Sequence, residues 1–237
     1  MCEHFVARSA EPFRLDALWD LAAGLERWGI AGLGWGAAWL GADGAIHSHR
    51  EVRAFRDDPA RDGVGREETT VALVHLRRPS KLSTIGLADT QPFDDPAGRY
   101  AFSHNGDLAR HLDWRDRYRA EGRIRGRADS ETGARWLEDR WDGTGGPGAP
   151  AILAELHETF GGLANFAVVT RDGTAHHYAG NRDNPVFSFR LGRIGVAATA
   201  LYSIDRSLFR LVAHGATHRH LVPLMTTASL GPDGSVL

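Results

Sequence analysis

The only cysteine in the chain is Cys2, directly behind the initiator methionine. Methionine is commonly removed when the next side chain is small, so the mature chain is expected to begin with cysteine, a free α-amine beside its thiol. That amine titrates near ~7.7–8.0 and the thiol near ~8.5, so at neutral pH the amine can accept the thiol proton at modest cost. One residue then supplies both nucleophile and base, the logic known for N-terminal threonine. The competing reading is a cysteine without a role in a frayed terminus, since chain ends tolerate most residues.

Three further stretches carry residue types that would complete such a site. VHLRRPS closes an apolar run with Arg77 and Arg78. A guanidinium there can grip a carboxylate through two parallel hydrogen bonds, although either arginine also suits a strand's exposed exit. FSHNGDL offers Asn105 and Gly106. Their side-chain amide and backbone N–H could stabilise a developing oxyanion; Asn-Gly is equally the strongest short hairpin signal. RADSETGARW puts Asp129 immediately before an expected helix. It could be only an N-cap, or could also receive a substrate ammonium group on its remaining lone pairs. HGATHRH holds His214, His218 and His220, but the glycine and the β-like residues after it argue against a helical ligand pair, and no metal is expected. His75 and His104 are expected at strand ends lining the pocket, and His176 with His177 on an exposed hairpin strand.

The elements that must hold these residues follow from periodicity. FRLDALWDLAAGLERWG has Leu15, Leu18, Trp19, Ala22, Leu25 and Trp28 at helical spacing, with Gly29 as the stop. GLGWGAAWL and AIHSHREV read as a hairpin about GADG, and TTVALVHLRR as a strand buried on both faces. RYAFSHNGDL reads as a strand ending at Asn-Gly; SETGARWLEDRW and AILAELHETF read as helices on either side of the linker-like WDGTGGPGAP. LANFAVVT, AHHYAG, VFSFRLG and RIGVAATAL then read as successive strands, SIDRSLFRLVA as a short helix, and HRHLVPLMTT with GSVL as closing strands. Antiparallel strands before and after a pair of helices imply an α+β domain of two packed sheets with helices outside. The Gly/Pro stretch suits a surface loop, so residues 1–237 are expected to form a single domain.

Composition narrows the function classes. Apolar residues are 42% and charged residues 24%, as in ordinary globular proteins, and the net charge is −2 without a long run of one sign. No nucleic-acid or membrane partner is expected on that ground. RYRAEGRIRGR, the richest basic stretch, reads as a solvated helix end and loop. One cysteine cannot make an internal disulfide, the first residues lack a signal-peptide pattern, and GIAGLGWGAAWLG is too short to span a bilayer. A cytoplasmic protein is the consistent expectation.

Taken together, MC at the start, HLR at 75–77, TQPF at 90–93, HNG at 104–106 and ADSE at 128–131 resemble, in order and roughly in spacing, the class II glutamine amidotransferases. The motifs cover about the first 140 residues; the remainder is similar only in its β-rich pattern. The resemblance implies an N-terminal nucleophile hydrolase with a four-layer αββα sandwich of two mostly antiparallel sheets and no cofactor. It implies that Cys2 attacks the γ-amide of glutamine or of a γ-glutamyl compound to form a γ-glutamyl thioester. Arg77 would hold the substrate α-carboxylate, Asp129 its α-ammonium, and Asn105 with Gly106 the oxyanion. Many members have Trp-Ala-Thr or Ser-Ala-Thr after the arginine, where this chain has Arg78-Pro79-Ser80. No synthase domain is expected within residues 1–237, and the chain more closely resembles the short stand-alone members, including the γ-glutamyl amidase of ergothioneine biosynthesis. The alternative is an ammonia-supplying or γ-glutamyl-binding subunit that works only with a separate synthase partner.

Overall fold

The first strand is one that periodicity does not reveal. In the computed structural model, which describes residues 2–141, 148–201 and 206–236 (Arg206 and Leu208 by backbone only), β1 runs from Glu3 to Arg14. It is central, pairing with strands on both sides, and buries the polar Glu3, His4 and Ser9 together with Phe5, Val6 and Ala7. Polar residues on both faces erase the alternation by which strands are read. The helix expected from Phe13 therefore begins later: Leu15–Leu18 form a 3-10 turn, and α1 spans Trp19–Trp28.

The other elements follow in order: β2 (Trp35–Leu40), β3 (Ile46–Glu51), α2 (Arg61–Gly65), β4 (Glu68–Leu76), β5 (Phe93–Asp94) and β6 (Tyr100–Leu108). Next come α3 (Leu112–Ala120), α4 (Asp129–Arg140), α5 (Ala149–Phe160), β7 (Gly162–Thr170), β8 (Ala175–Gly180), β9 (Val186–Leu191) and β10 (Ile194–Thr199). The chain continues with α6 (Arg206–Val212), β11 (Thr217–Leu221) and β12 (Thr226–Leu230). The glycine-rich loop expected after Trp141 and the start of the helix expected at Ser203 fall partly outside the described residues, as does Met1.

Two antiparallel sheets result. One has the order β11-β9-β10-β1-β4-β2-β3 and the other β12-β8-β7-β6-β5. Alternation along the strands divides their apolar residues between layers. Phe5, Ala7, Val74 and Leu76 face a core shared with Leu21, Leu25, Phe209 and Val212 of α1 and α6. Val6, Val71 and Leu73 meet Ala101, Ala167, Val169 and Ala179 between the sheets. Phe102, Phe166 and Val168 pack on Trp136, Leu137, Leu153 and Phe160 of α4 and α5. The order is helices, sheet, sheet, helices, as the α+β sandwich reading requires.

Two local expectations are corrected. Asn105 and Gly106 do not turn the chain: β6 continues through them to Leu108, pairing Asn105 with Asn165 and Gly106 with Ala164. His176 and His177 are buried rather than exposed, because β8 is internal to its sheet and covered on both faces: Ala175 and Ala179, on the His177 face, lie between the sheets, and Tyr178, on the His176 face, lies in the core under α4 and α5.

Candidate active site

β1 lies between β10 and β4, and its pairing with β4 extends to its first residue, whereas that with β10 begins at Phe5. The register Glu3↔Leu76 brings Cys2 beside the end of β4, where Arg77 and Arg78 follow. There the Arg78 backbone N–H donates to Cys2 Sγ at 3.3 Å, and the thiol lies 3.7 Å from the Arg78 carbonyl. Burial pushes the thiol above its ordinary range, while the Arg78 N–H and the nearby Arg77 charge pull it down; the rise prevails.

Arg77 is anchored through its main chain. Its N–H donates to Gly34 O at 2.8 Å, and its carbonyl accepts from Gly32 and Leu33. Its side chain is 3% exposed; Nη2 donates to the Thr84 carbonyl, and Nη1 is buried with no protein partner. A guanidinium that keeps an unmatched buried donor beside a cleft is suited to an incoming anion.

Gly106 has φ +133°, and a Cβ there would lie 1.8 Å from the Leu163 carbonyl oxygen. Only glycine permits this approach of β6 to β7. The neighbouring Asn105 is fully buried and donates from Nδ2 to the Cys2 carbonyl, so β6 of one sheet reaches Cys2 on the other.

Asp129 is the first residue of α4; Ala128 takes the N-cap position and makes no side-chain cap bond. The expected capping role becomes a tie between elements: Oδ2 accepts the Leu108 N–H at 2.8 Å, and Oδ1 accepts that of Ser130 at 2.9 Å. Cys2, Arg77, Gly106 and Asp129 line one cleft. Asn105 does not line it and touches Cys2 from beneath through the backbone.

Residues that the sequence reading left without a role support this arrangement. Gln91 accepts the His104 N–H at 2.6 Å and donates to the His104 carbonyl at 3.0 Å and to Ser130 Oγ at 3.2 Å. It thereby clamps β6 to α4 just before the Asn-Gly pair. Asp89 Oδ1 accepts the N–H groups of Arg127 and Ala128 at 2.6 and 2.7 Å, orienting the approach to Asp129. TQPF was the available signal for Gln91; nothing local marked Asp89. His104 lines the cleft as expected, but His75 lies deeper.

His75 belongs to a buried imidazole group. Its Nδ1 is 2.6 Å from Ser103 Oγ, which is also 2.9 Å from His4 Nδ1, and the His177 ring centre is 4.6 Å from that of His4. One hydroxyl can donate to only one of two imidazoles, so His4 and His75 adopt opposite tautomers. Burial lowers all three below the ordinary histidine range, His177 to about 4, and they are neutral at pH 7. Glu3 is pushed up to about 7 by burial, opposed by hydrogen bonds from Thr199, Asn184 and the Leu201 N–H.

No family model matches the chain, and no curated protein matches it in sequence. Solved structures do match. A glutamine phosphoribosylpyrophosphate amidotransferase from B. subtilis superposes with a TM-score of 0.73 at 18% identity, over 98% of this chain and 48% of that one. An allosteric regulatory enzyme of purine biosynthesis gives 0.74 at 16%, again over 98% and 48%. The chain thus spans about half the length of these two proteins. A glutamine aminotransferase class-II domain protein from Silicibacter pomeroyi gives 0.61 at 15%, over 98% of this chain and 96% of that one. No described helix is long and apolar enough to cross a membrane. With its two antiparallel sheets between helical layers, the chain has the fold of a class II glutamine amidotransferase domain, the N-terminal nucleophile hydrolase fold.

Proposed function

We propose that the protein is an amidohydrolase that cleaves the γ-amide of glutamine or of a γ-glutamyl compound through Cys2, acting as a single domain over residues 1–237 in the cytoplasm. The observation that carries this reading is the convergence of Cys2, Arg77, Gly106 and Asp129 on one cleft, although they come from the start of β1, the end of β4, within β6 and the start of α4.

Removal of Met1 exposes the Cys2 α-amine. Because burial raises the thiol, a local base is needed, and the α-amine takes its proton. Sγ attacks the γ-amide carbon; the Gly106 N–H donates to the resulting oxyanion, and Asn105, expected as the second donor, acts from beneath the cleft by holding the Cys2 carbonyl unless its second Nδ2 hydrogen turns to the oxyanion. The C–N bond breaks as the α-ammonium returns its proton to the leaving nitrogen, and a γ-glutamyl thioester remains. Water, deprotonated by the same amine, adds to the thioester; the C–S bond breaks, releasing glutamate and restoring the thiol. Arg77, with its unmatched Nη1, holds the substrate α-carboxylate, and Asp129 holds the α-ammonium. No cofactor enters these steps.

Intact mass should show loss of Met1, and 6-diazo-5-oxo-norleucine should label the first residue of the mature chain. Cys2→Ala should abolish glutamate release with the fold intact. Retention of Met1, or labelling elsewhere, defeats the assignment. A second reading is favoured by the chain spanning 48% of two larger enzymes, one of them an amidotransferase. In it the same site supplies ammonia to, or binds a γ-glutamyl ligand for, a separate synthase partner. Negligible turnover alone, restored by a co-purifying synthase, would select it.

A further inference from the structure

Granted the amidohydrolase reading, on which this inference rests, the charges at the cleft mouth bear on what the γ-glutamyl nitrogen carries. Four cationic side chains other than histidine line the cleft. Arg77 is buried and assigned to the α-carboxylate. Arg78, Lys81 and Arg127 are exposed, and among the described residues their side chains make no hydrogen bond or ion pair. Away from the cleft, Arg99, Arg123 and Arg135 pair with carboxylates, those of Asp95, Asp139 and Glu138. Lys81 is also the chain's only lysine.

The carboxylates of the cleft leave that charge unmatched. Asp89 is buried, and its Oδ1 is occupied by the backbone N–H groups of Arg127 and Ala128. Asp129 ties Leu108 to Ser130 and is the assigned seat of the α-ammonium. Asp107 is the one exposed carboxylate lining the cleft among the described residues, against three exposed cations. A bound γ-glutamyl group is itself balanced, its ammonium opposite Asp129 and its carboxylate opposite Arg77. Free glutamine has nothing beyond the scissile carbon except a neutral NH2, which uses none of the remaining positive charge.

We infer that Arg78, Lys81 and Arg127 form a leaving-group subsite for an anion, and that the substrate is a γ-glutamyl conjugate of an amine bearing a carboxylate or a similar acid. Like charges at a concave mouth focus their field, attract an anionic ligand and weaken with salt. Arginine adds a geometric preference for carboxylate that a point charge lacks. This arrangement raises kcat/KM for the acidic conjugate over its neutral isostere.

The test compares kcat/KM for γ-glutamylglycine, γ-glutamyltaurine, the neutral γ-glutamylglycinamide and glutamine, reading glutamate release by the mature enzyme. The acidic conjugates should exceed γ-glutamylglycinamide by about 10-fold at ~50 mM salt, and the ratio should shrink several-fold at ~0.5 M. A carboxylate-over-sulfonate preference assigns the arginines as bidentate partners; equal use of both assigns recognition to charge. Lys81→Glu and Arg127→Glu should each cut the acidic-to-neutral ratio by about 3- to 10-fold, with unfolding midpoints reported alongside. Equal kcat/KM for acidic and neutral conjugates, in an enzyme that still takes the 6-diazo-5-oxo-norleucine label on Cys2, overturns the subsite and leaves the amidohydrolase reading standing. Absence of both label and turnover overturns both.

Discussion

Gly106→Ala separates a catalytic glycine from a merely structural one. A Cβ at this position would lie 1.8 Å from the Leu163 carbonyl oxygen, whereas unstrained C···O contacts begin near ~3.3 Å, so the strands must part by about 1.5 Å. An oxyanion donor must stay within ~2.7–3.1 Å of the developing charge, so a displacement of that size removes it and should lower kcat by about 100- to 1,000-fold. Stability should fall as well, by about 1–3 kcal/mol, because φ +133° is strained for alanine. Gly162→Ala is the matched control. It sits on the partner strand at φ +93°, and its Cβ would meet the Asp107 carbonyl oxygen at 2.1 Å, so it carries a similar strain outside the proposed oxyanion site. Both variants should lose unfolding free energy in urea by comparable amounts, but only Gly106→Ala should lose kcat by two orders of magnitude, measured as glutamate release at saturating substrate. If Gly106→Ala keeps kcat within about 3-fold of the parent while matching Gly162→Ala in stability, the oxyanion assignment is refuted.

Arg77→Lys keeps the charge and loses the planar fork, so KM should rise by about 10- to 100-fold with a smaller change in kcat; an unchanged KM removes Arg77 from substrate binding. Glu3 binds a proton up to about pH 7 in the folded state, above its ordinary unfolded value near ~4.3, so its contribution to stability is full below that value and is lost as pH rises through 7. Glu3→Gln should therefore raise stability at pH 8 by up to about 3 kcal/mol and flatten this limb; a variant less stable than the parent at pH 8 contradicts the assignment. His4, His75 and His177 are lowered when folded, so their contribution is present above the unfolded value near ~6.5 and is lost as pH falls below it, for His177 through about 4. Urea unfolding should show stability falling below pH 6.5 with a slope of more than one proton, and a slope near zero between pH 6 and 4.5 would show that these rings are not buried neutral.

Much of the fold was legible wherever a strand or helix has one wet face or a uniformly apolar run. β4, β7, β8 and β10 were recognisable by apolar content bounded by turn residues, and α4 and α5 by their apolar stripes. β1 was not, because Glu3, His4 and Ser9 are polar residues buried between paired strands, and the partners of Glu3 and His4, which are Thr199, Asn184 and Ser103, lie far along the chain. Asn105 and Gly106 kept two readings until the register with β7 excluded the hairpin turn.

The sequence by itself determined which residue types were available: a lone cysteine in second position, an arginine at the end of an apolar run, an Asn-Gly pair and an aspartate at a helix start. Those identities follow from side-chain chemistry and local propensity, which act within a few residues. Tertiary structure alone decided that Cys2 lies against Arg78 and Asn105, that Gln91 and Asp89 hold the segments around them, and that three unpaired cations share the cleft mouth. Each of these depends on strand register and on the stacking of two sheets, set by pairing and packing between residues as much as 222 positions apart.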